Sequence, residues 1–313
     1  AIFIAFIDIK IIYKYAWYPL LLSILMLFIL YLTSDGRVNR WLDLGFIKIQ
    51  PSEFAKVSLI LALSRFFHDI PLNEQGKILY SFLAIIIAAP VIFLTIVQPD
   101  LGTSIMQILL VSAIIFVAGL RIWMIVIAFA VSLASMPIIW FQLHDYQKTR
   151  ILTFLDPNQD ALGAGYHITQ SKIALGSGGI FGKGFLQGSQ SHLNFLPEKQ
   201  TDFIFTLIGE EFGFIGTVFI IILFFLLISI CFYISIKSYH IFGRLLALGV
   251  ASNIFIYVIM NVAMVSGLMP VVGIPLPLIS YGGSVMLSIM ISLGLVLNVE
   301  LNYNLKKIND ASN

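Results

Sequence analysis

Eight long apolar runs constrain this chain more than anything else in it. They cover approximately residues 14–32, 52–67, 78–97, 103–119, 122–141, 202–232, 245–266 and 276–299. A helix needs about 20 apolar residues to cross a bilayer, and in hydrocarbon every backbone amide must find its partner within the protein. None of the runs has the alternating pattern of about 10 residues that marks a barrel strand. The fold class is therefore all-α, a polytopic membrane bundle of about eight full helices. Ile2 to Ile7 reads as the last turns of a helix whose beginning is missing. Composition agrees: 11% of residues are charged and 59% hydrophobic, whereas a soluble domain carries about 25% charged residues. The net charge of +2 gives no reason to expect nucleic acid as a partner. The single cysteine, Cys231, lies in an apolar run and offers neither a disulfide framework nor a Cys-based metal site. Residues 1–313 read as one integral membrane domain, with a large polar loop over 142–201.

Basic residues in the short loops set the orientation. One side carries the nine residues Lys10, Lys14, Arg65, Lys77, Arg121, Lys237, Arg244, Lys306 and Lys307; the other carries the three residues Arg37, Arg40 and Lys48. The positive-inside rule puts the first set in the cytoplasm and the long loop outside. A loop of this length is usually functional. It ends in Leu196-Pro197-Glu198-Lys199-Gln200-Thr201-Asp202, where the chain re-enters an apolar span. An ionisable residue at that position is a candidate for function, although Asp also favours a helix N-cap. Chemistry on this side has no access to ATP and needs a substrate activated beforehand.

Other polar groups interrupt the spans. In Gln50-Pro51-Ser52-Glu53-Phe54-Ala55-Lys56, proline suits the first helical turn, with Gln50 or Ser52 as a partial cap. Glu53 and Lys56 stand at i,i+3 on one face and can pair; the pair is a structural bridge or a substrate contact. Asp100, in Gln98-Pro99-Asp100-Leu101-Gly102-Thr103, caps the next helix through the Thr103 amide or lines an outward cavity. Ser177 to Gly184 offers amides of the kind that hold phosphate oxygens, or plain flexibility; it lacks P-loop spacing. Glu210 and Glu211 need partners such as a lysine or arginine from another span, and Gly209 and Gly213 form a small-xxx-small pair for close helix approach. Pro275 to Ser284 is a broken span opening, tolerated only against protein or a wet cavity. His144, His167 and His192 match no zinc motif and read as solvated loop residues.

Taken in order, these blocks resemble the SEDS family of polytopic membrane proteins. The resemblance is carried by Arg40-Trp41-Leu42-Asp43-Leu44-Gly45, Gln50 to Lys56, Gln98 to Thr103, Phe154-Leu155-Asp156-Pro157, Gly165 to Ala174, Phe195-Leu196-Pro197-Glu198 to Asp202-Phe203-Ile204-Phe205, Glu210-Glu211-Phe212-Gly213 and Pro275 to Ser284. Gln170-Ser171-Lys172, Gly188 to Ser191 and Asn194 to Glu198 resemble the RodA branch more than FtsW or SpoVE. The resemblance implies a bacterial cytoplasmic (inner) membrane location and peptidoglycan glycosyltransferase activity during cell-wall elongation. Lipid II would be donor and acceptor, and the product a β-1,4 glycan strand. It further implies as partners a class B penicillin-binding protein and other elongation-machinery membrane proteins. The family's essential aspartate falls on Asp202, its Glu-Lys pair on Glu53 and Lys56, and its Gln-Pro-Asp aspartate on Asp100. The expected reaction is a single inverting displacement, with Asp202 as base or as metal ligand. Positive charge for the departing diphosphate would come from a divalent cation (Mg or Mn) or from Arg40, Lys172 and Lys183. Two other classes share these features: a lipid II flippase, and a scaffold that only holds a penicillin-binding protein.

Overall fold

The computed structural model describes residues 1–33, 40–43, 45, 48–119, 145–156, 164–189 and 200–312, with isolated positions between 123 and 141. The expected span 122–141 and residues 190–199 of the loop lie outside the described residues. The other expected spans form helices. In chain order they are α1 (Ile2–Ala5), α2 (Ile9–Tyr15), α3 (Trp17–Thr33), α4 (Pro51–His68), α5 (Ile78–Val97), α6 (Leu101–Val117), α7 (Asp145–Leu155), α8 (Ala164–Ser177), α9 (Ile204–Lys237), α10 (Ile241–Val265) and α11 (Gly283–Ser312). The only described strands are β1 (Leu42–Asp43) and β2 (Lys48–Ile49), a minimal antiparallel pair before α4. The last expected span starts as a helix only at Gly283, and residues 270–276 before it have no regular structure. Contacts group the chain into two compact units. These are Ala1–Ile122 with Leu227–Ile256 and Gly283–Asn313, and Trp123–Leu226 with Tyr257–Gly282.

In the first unit α4 is central. Helices α3, α5, α6 and α11 all pack on it, and it is buried along nearly its whole length. Lipid is as apolar as leucine, so helices in a membrane are held by close packing and by polar contacts rather than by the hydrophobic effect. A central helix is therefore where charged residues can be tolerated. Pro51 occupies its first turn as expected. Gln50 is the N-cap residue but makes no side-chain cap bond. Its backbone N–H donates to Ser284 Oγ at 3.0 Å instead.

In the second unit α7 and α8 pack together, and α8 lies against the start of α9. Ser171 Oγ and Thr206 Oγ1 are 2.7 Å apart, and Ser171 Oγ donates to the Val265 carbonyl at 2.7 Å. Gly209 admits Leu175 of α8, the close approach its spacing predicts. Gly213 does something else: at φ +66 and ψ −160 it breaks α9. The glycine-rich segment after α8 fills that break. Lys183 and Gly184 N–H donate to the Glu210 and Glu211 carbonyls, each at 3.0 Å. Phe214 and Ile215 N–H donate to the Gly179 and Ile180 carbonyls at 2.9 and 3.2 Å. A broken helix leaves carbonyls and amides orphaned, and within a membrane these must be satisfied by protein. Residues 179–184 satisfy them. The amides of Lys183 and Gly184 thus serve the helix break, which corrects both sequence readings of this stretch, phosphate cradle and free flexibility.

A Cβ on Gly182, at φ +80, would overlap the Glu211 carbonyl, whereas one on Gly176 would meet nothing within 4 Å. Gly182→Ala should therefore cost about 2–4 kcal/mol from overpacking and left-handed strain. Gly176→Ala, inside α8, should be neutral or slightly stabilising. Thermal unfolding in detergent compares them; equal midpoints would show that the segment does not sit in the break.

Candidate functional site

Two polar clusters hold the residues singled out from sequence, one in each unit. In the first unit Lys56 Nζ lies 2.7 Å from Glu53 Oε1, the i,i+3 pair that the spacing predicts. Both are buried, Glu53 at 3% exposure and Lys56 at 1%. Burying a lone charge is prohibitive, and a pair persists only with good geometry and further partners.

Asp100 is the N-cap of α6 and accepts from the Thr103 N–H at 3.4 Å. Its Oδ2 also accepts from Thr103 Oγ1 at 2.8 Å and from Gln50 Nε2 at 3.2 Å. Arg40 stands 3.6 Å from its Oδ1 and donates through Nη2 to the Pro99 carbonyl at 2.8 Å. Capping and ion pairing, alternatives in the sequence, coexist here. A carboxylate offers about four lone-pair sites, which is enough for all these donors. The Arg40 side chain keeps 25% exposure against 5% for Asp100, so the guanidinium is the accessible member.

In the second unit Asp202 lies in the turn 200–203 just before α9 and is half-buried. Its backbone carbonyl accepts from Asn261 Nδ2 at 2.8 Å. A Cβ placed on Gly273 would stand 3.2 Å from Asp202 Oδ2, so that glycine forms the wall beside the carboxylate. Lys172 is exposed on α8, and its side chain runs over Gly267, in the same irregular stretch between α10 and α11 as Gly273. Lys183 Nζ is 2.8 Å from Glu210 Oε1, which is fully buried, and 2.8 Å from Ser189 Oγ. The partner that Glu210 requires comes from the inserted loop rather than from a span. It lies at the C-terminal end of the first half of α9, where a cation is favoured by the helix dipole.

The structure therefore joins Arg40 with Asp100, Glu53 with Lys56, and Lys183 with Glu210, and it seats Asp202 beside Gly273. Among the described residues no three His, Cys, Asp or Glu side chains converge in a metal-binding group.

The family model described as "Cell cycle protein", covering FtsW, RodA and SpoVE, matches residues 1–305. The chain belongs to the FtsW/RodA/SpoVE family. The peptidoglycan glycosyltransferase MrdB of Escherichia coli K12 is 43% identical over 292 residues, covering 90% of this chain and 77% of that protein. Among solved structures, one similar chain belongs to a structure describing the structural coordination of polymerization and crosslinking by a peptidoglycan synthase complex. It superposes with a TM-score of 0.80 at 30% identity, over 96% of this chain and 84% of that one. The crystal structure of the rod shape determining protein RodA of Thermus thermophilus superposes with a TM-score of 0.69 at 26% identity, over 96% of this chain and 82% of that one.

For this FtsW/RodA/SpoVE protein, sequence reading missed the residues that surround Asp202 from outside the loop. Asn261 is fully buried within an apolar span, and a polar side chain at membrane depth is itself a signal. Ser280 falls in the stretch Pro275 to Ser284 that the sequence marks as a broken span opening, whereas Gly273 precedes it and carries no such signal. His167, read as a solvated loop residue, has its ring 6.4 Å from that of Phe203, the neighbour of Asp202.

Proposed function

We propose that this multi-pass membrane protein is a peptidoglycan glycosyltransferase that polymerises lipid II, working in the bacterial inner membrane during elongation. The observation that carries the reading is Asp202: a half-buried carboxylate on a turn, fixed through its own backbone, in a chain of this family. The acceptor's sugar hydroxyl attacks the donor's anomeric carbon while its proton passes to an Asp202 oxygen. The bond from that carbon to the diphosphate oxygen breaks, and undecaprenyl diphosphate leaves with the electron pair. Configuration inverts, giving the β-1,4 linkage. Charge develops on the departing diphosphate, and cations aimed there act where the charge appears. Within the unit that carries Asp202, Lys172 is the accessible candidate, and Lys183 shares its charge with Glu210. A divalent cation carried on the diphosphate would supply further charge. The large loop faces outward in this reading, and the lipid tail stays among the helices because it is too apolar to leave the bilayer. A class B penicillin-binding protein, with other elongation proteins, is the proposed partner.

Purified protein incubated with lipid II in detergent, with the penicillin-binding partner supplied, should yield a ladder of glycan strands on a gel. No polymer together with lipid II transfer across vesicles would overturn the reading in favour of a flippase. No polymer and no transfer would leave a scaffold.

A further inference from the structure

Asp202 stands in a turn rather than inside a helix, so intrahelical hydrogen bonds do not fix it. The irregular segment between α10 and α11 holds it instead. Asn261, fully buried on α10, donates one amide hydrogen to the Asp202 carbonyl at 2.8 Å and the other to the Ile274 carbonyl at 2.7 Å. One nitrogen thus ties the residue bearing the carboxylate to the residue after Gly273. Ser280 repeats the device one step away: its Oγ donates to the Thr201 carbonyl at 2.6 Å and accepts from Leu276 N–H at 2.8 Å. Tyr281 N–H donates to the Gln200 carbonyl at 2.9 Å. The segment 274–281 is stitched to residues 200–202 throughout. Leu278 takes φ +66 within it, a conformation that a leucine holds only where its surroundings over-determine it.

We infer that Asn261 is the positioning residue for Asp202, setting the carboxylate against the backbone of Gly273. The inference rests on the reading of Asp202 as the catalytic base. Three features point the same way. Asparagine is a short neutral side chain with two donors on one nitrogen; serine offers one and an ionised aspartate none. A lysine could donate as many but would bring a charge beside the carboxylate. Second, the two acceptors flank the functional group: one is Asp202's own carbonyl, and the other adjoins the glycine that faces Oδ2. A slip of the clamp therefore moves the carboxylate relative to its wall. Third, Gly273 at φ +74 lies so close to the carboxylate that a Cβ there would stand 3.2 Å from Oδ2, tighter than an ordinary contact. Misplacing a reacting group by about 1 Å costs on the order of 10²-fold in rate, so the clamp sets the rate without touching substrate.

The test uses the full chain in detergent with lipid II, and rates are normalised to the folded, monodisperse fraction. Asn261→Ala removes both donors. Gly273→Ala keeps every hydrogen bond and crowds Oδ2, so it reports on the same geometry if the first variant folds poorly. Asn261→Ala should lower kcat by about 10²-fold with little change in KM, and Gly273→Ala should lower kcat in the same sense by a smaller factor, the pattern of an interaction realised only in the transition state. Unchanged kcat per folded molecule in both variants, while Asp202→Asn is inactive, would overturn the inference and leave Asn261 as a fold clamp. Raised KM with kcat preserved would overturn it too. Full activity in Asp202→Asn would instead remove the catalytic reading of Asp202 itself.

Discussion

Asp202→Asn should lower lipid II polymerisation by about 10²–10⁴-fold, the usual contribution of a positioned base, while the protein still folds and still binds the proposed penicillin-binding partner. The substitution is isosteric. It keeps the backbone carbonyl that Asn261 clamps at 2.8 Å and leaves Gly273 beside the side chain. What changes is basicity: an amide oxygen cannot take the acceptor's proton and hold it. Residual turnover would come from substrate held in place by the remaining contacts. Gel-resolved glycan product, alongside thermal unfolding and co-purification with the proposed penicillin-binding partner, separates lost chemistry from lost structure. Near-normal product from a well-folded variant would take Asp202 out of the mechanism as base or as metal ligand.

The second large effect concerns stability. Glu53→Ala and Lys56→Ala should each cost about 3–5 kcal/mol, because either change removes the 2.7 Å ion pair from a charge that stays in the packed interior. Both side chains are buried, at 3% and 1% exposure. The double variant should be less damaging than the sum, with a coupling of about 0.5–3 kcal/mol, since it removes both charges together. Unfolding in detergent across all four proteins measures the coupling, and polymerisation by the double variant shows whether the pair has a further catalytic use. Additive losses would mean that the 2.7 Å contact carries no interaction energy.

Features within one turn of chain were legible beforehand. The Glu53–Lys56 pair follows from helical periodicity, and the Asp100 cap on Thr103 from the geometry of a helix start. The glycine-rich stretch after α8 shows the opposite case. A glycine that permits close approach and one that merely loosens a loop look the same in sequence. Only the carbonyls of Glu210 and Glu211 opposite Lys183 and Gly184 tell them apart.

The order of residues alone establishes an all-helical membrane protein, the place of most of its spans, and an acid at the point where the loop re-enters the membrane. Hydrocarbon enforces those conclusions, because each span must satisfy its backbone locally and an acid at such a boundary is conspicuous. Packing in three dimensions determines which polar groups meet: Arg40 with Asp100, Lys183 with Glu210, and Asn261 with Asp202, the last pair 59 positions apart in the chain. No local propensity encodes such pairings. They depend on which segments are brought side by side, and on a helix broken at Gly213 whose orphaned groups had to be met from elsewhere in the chain.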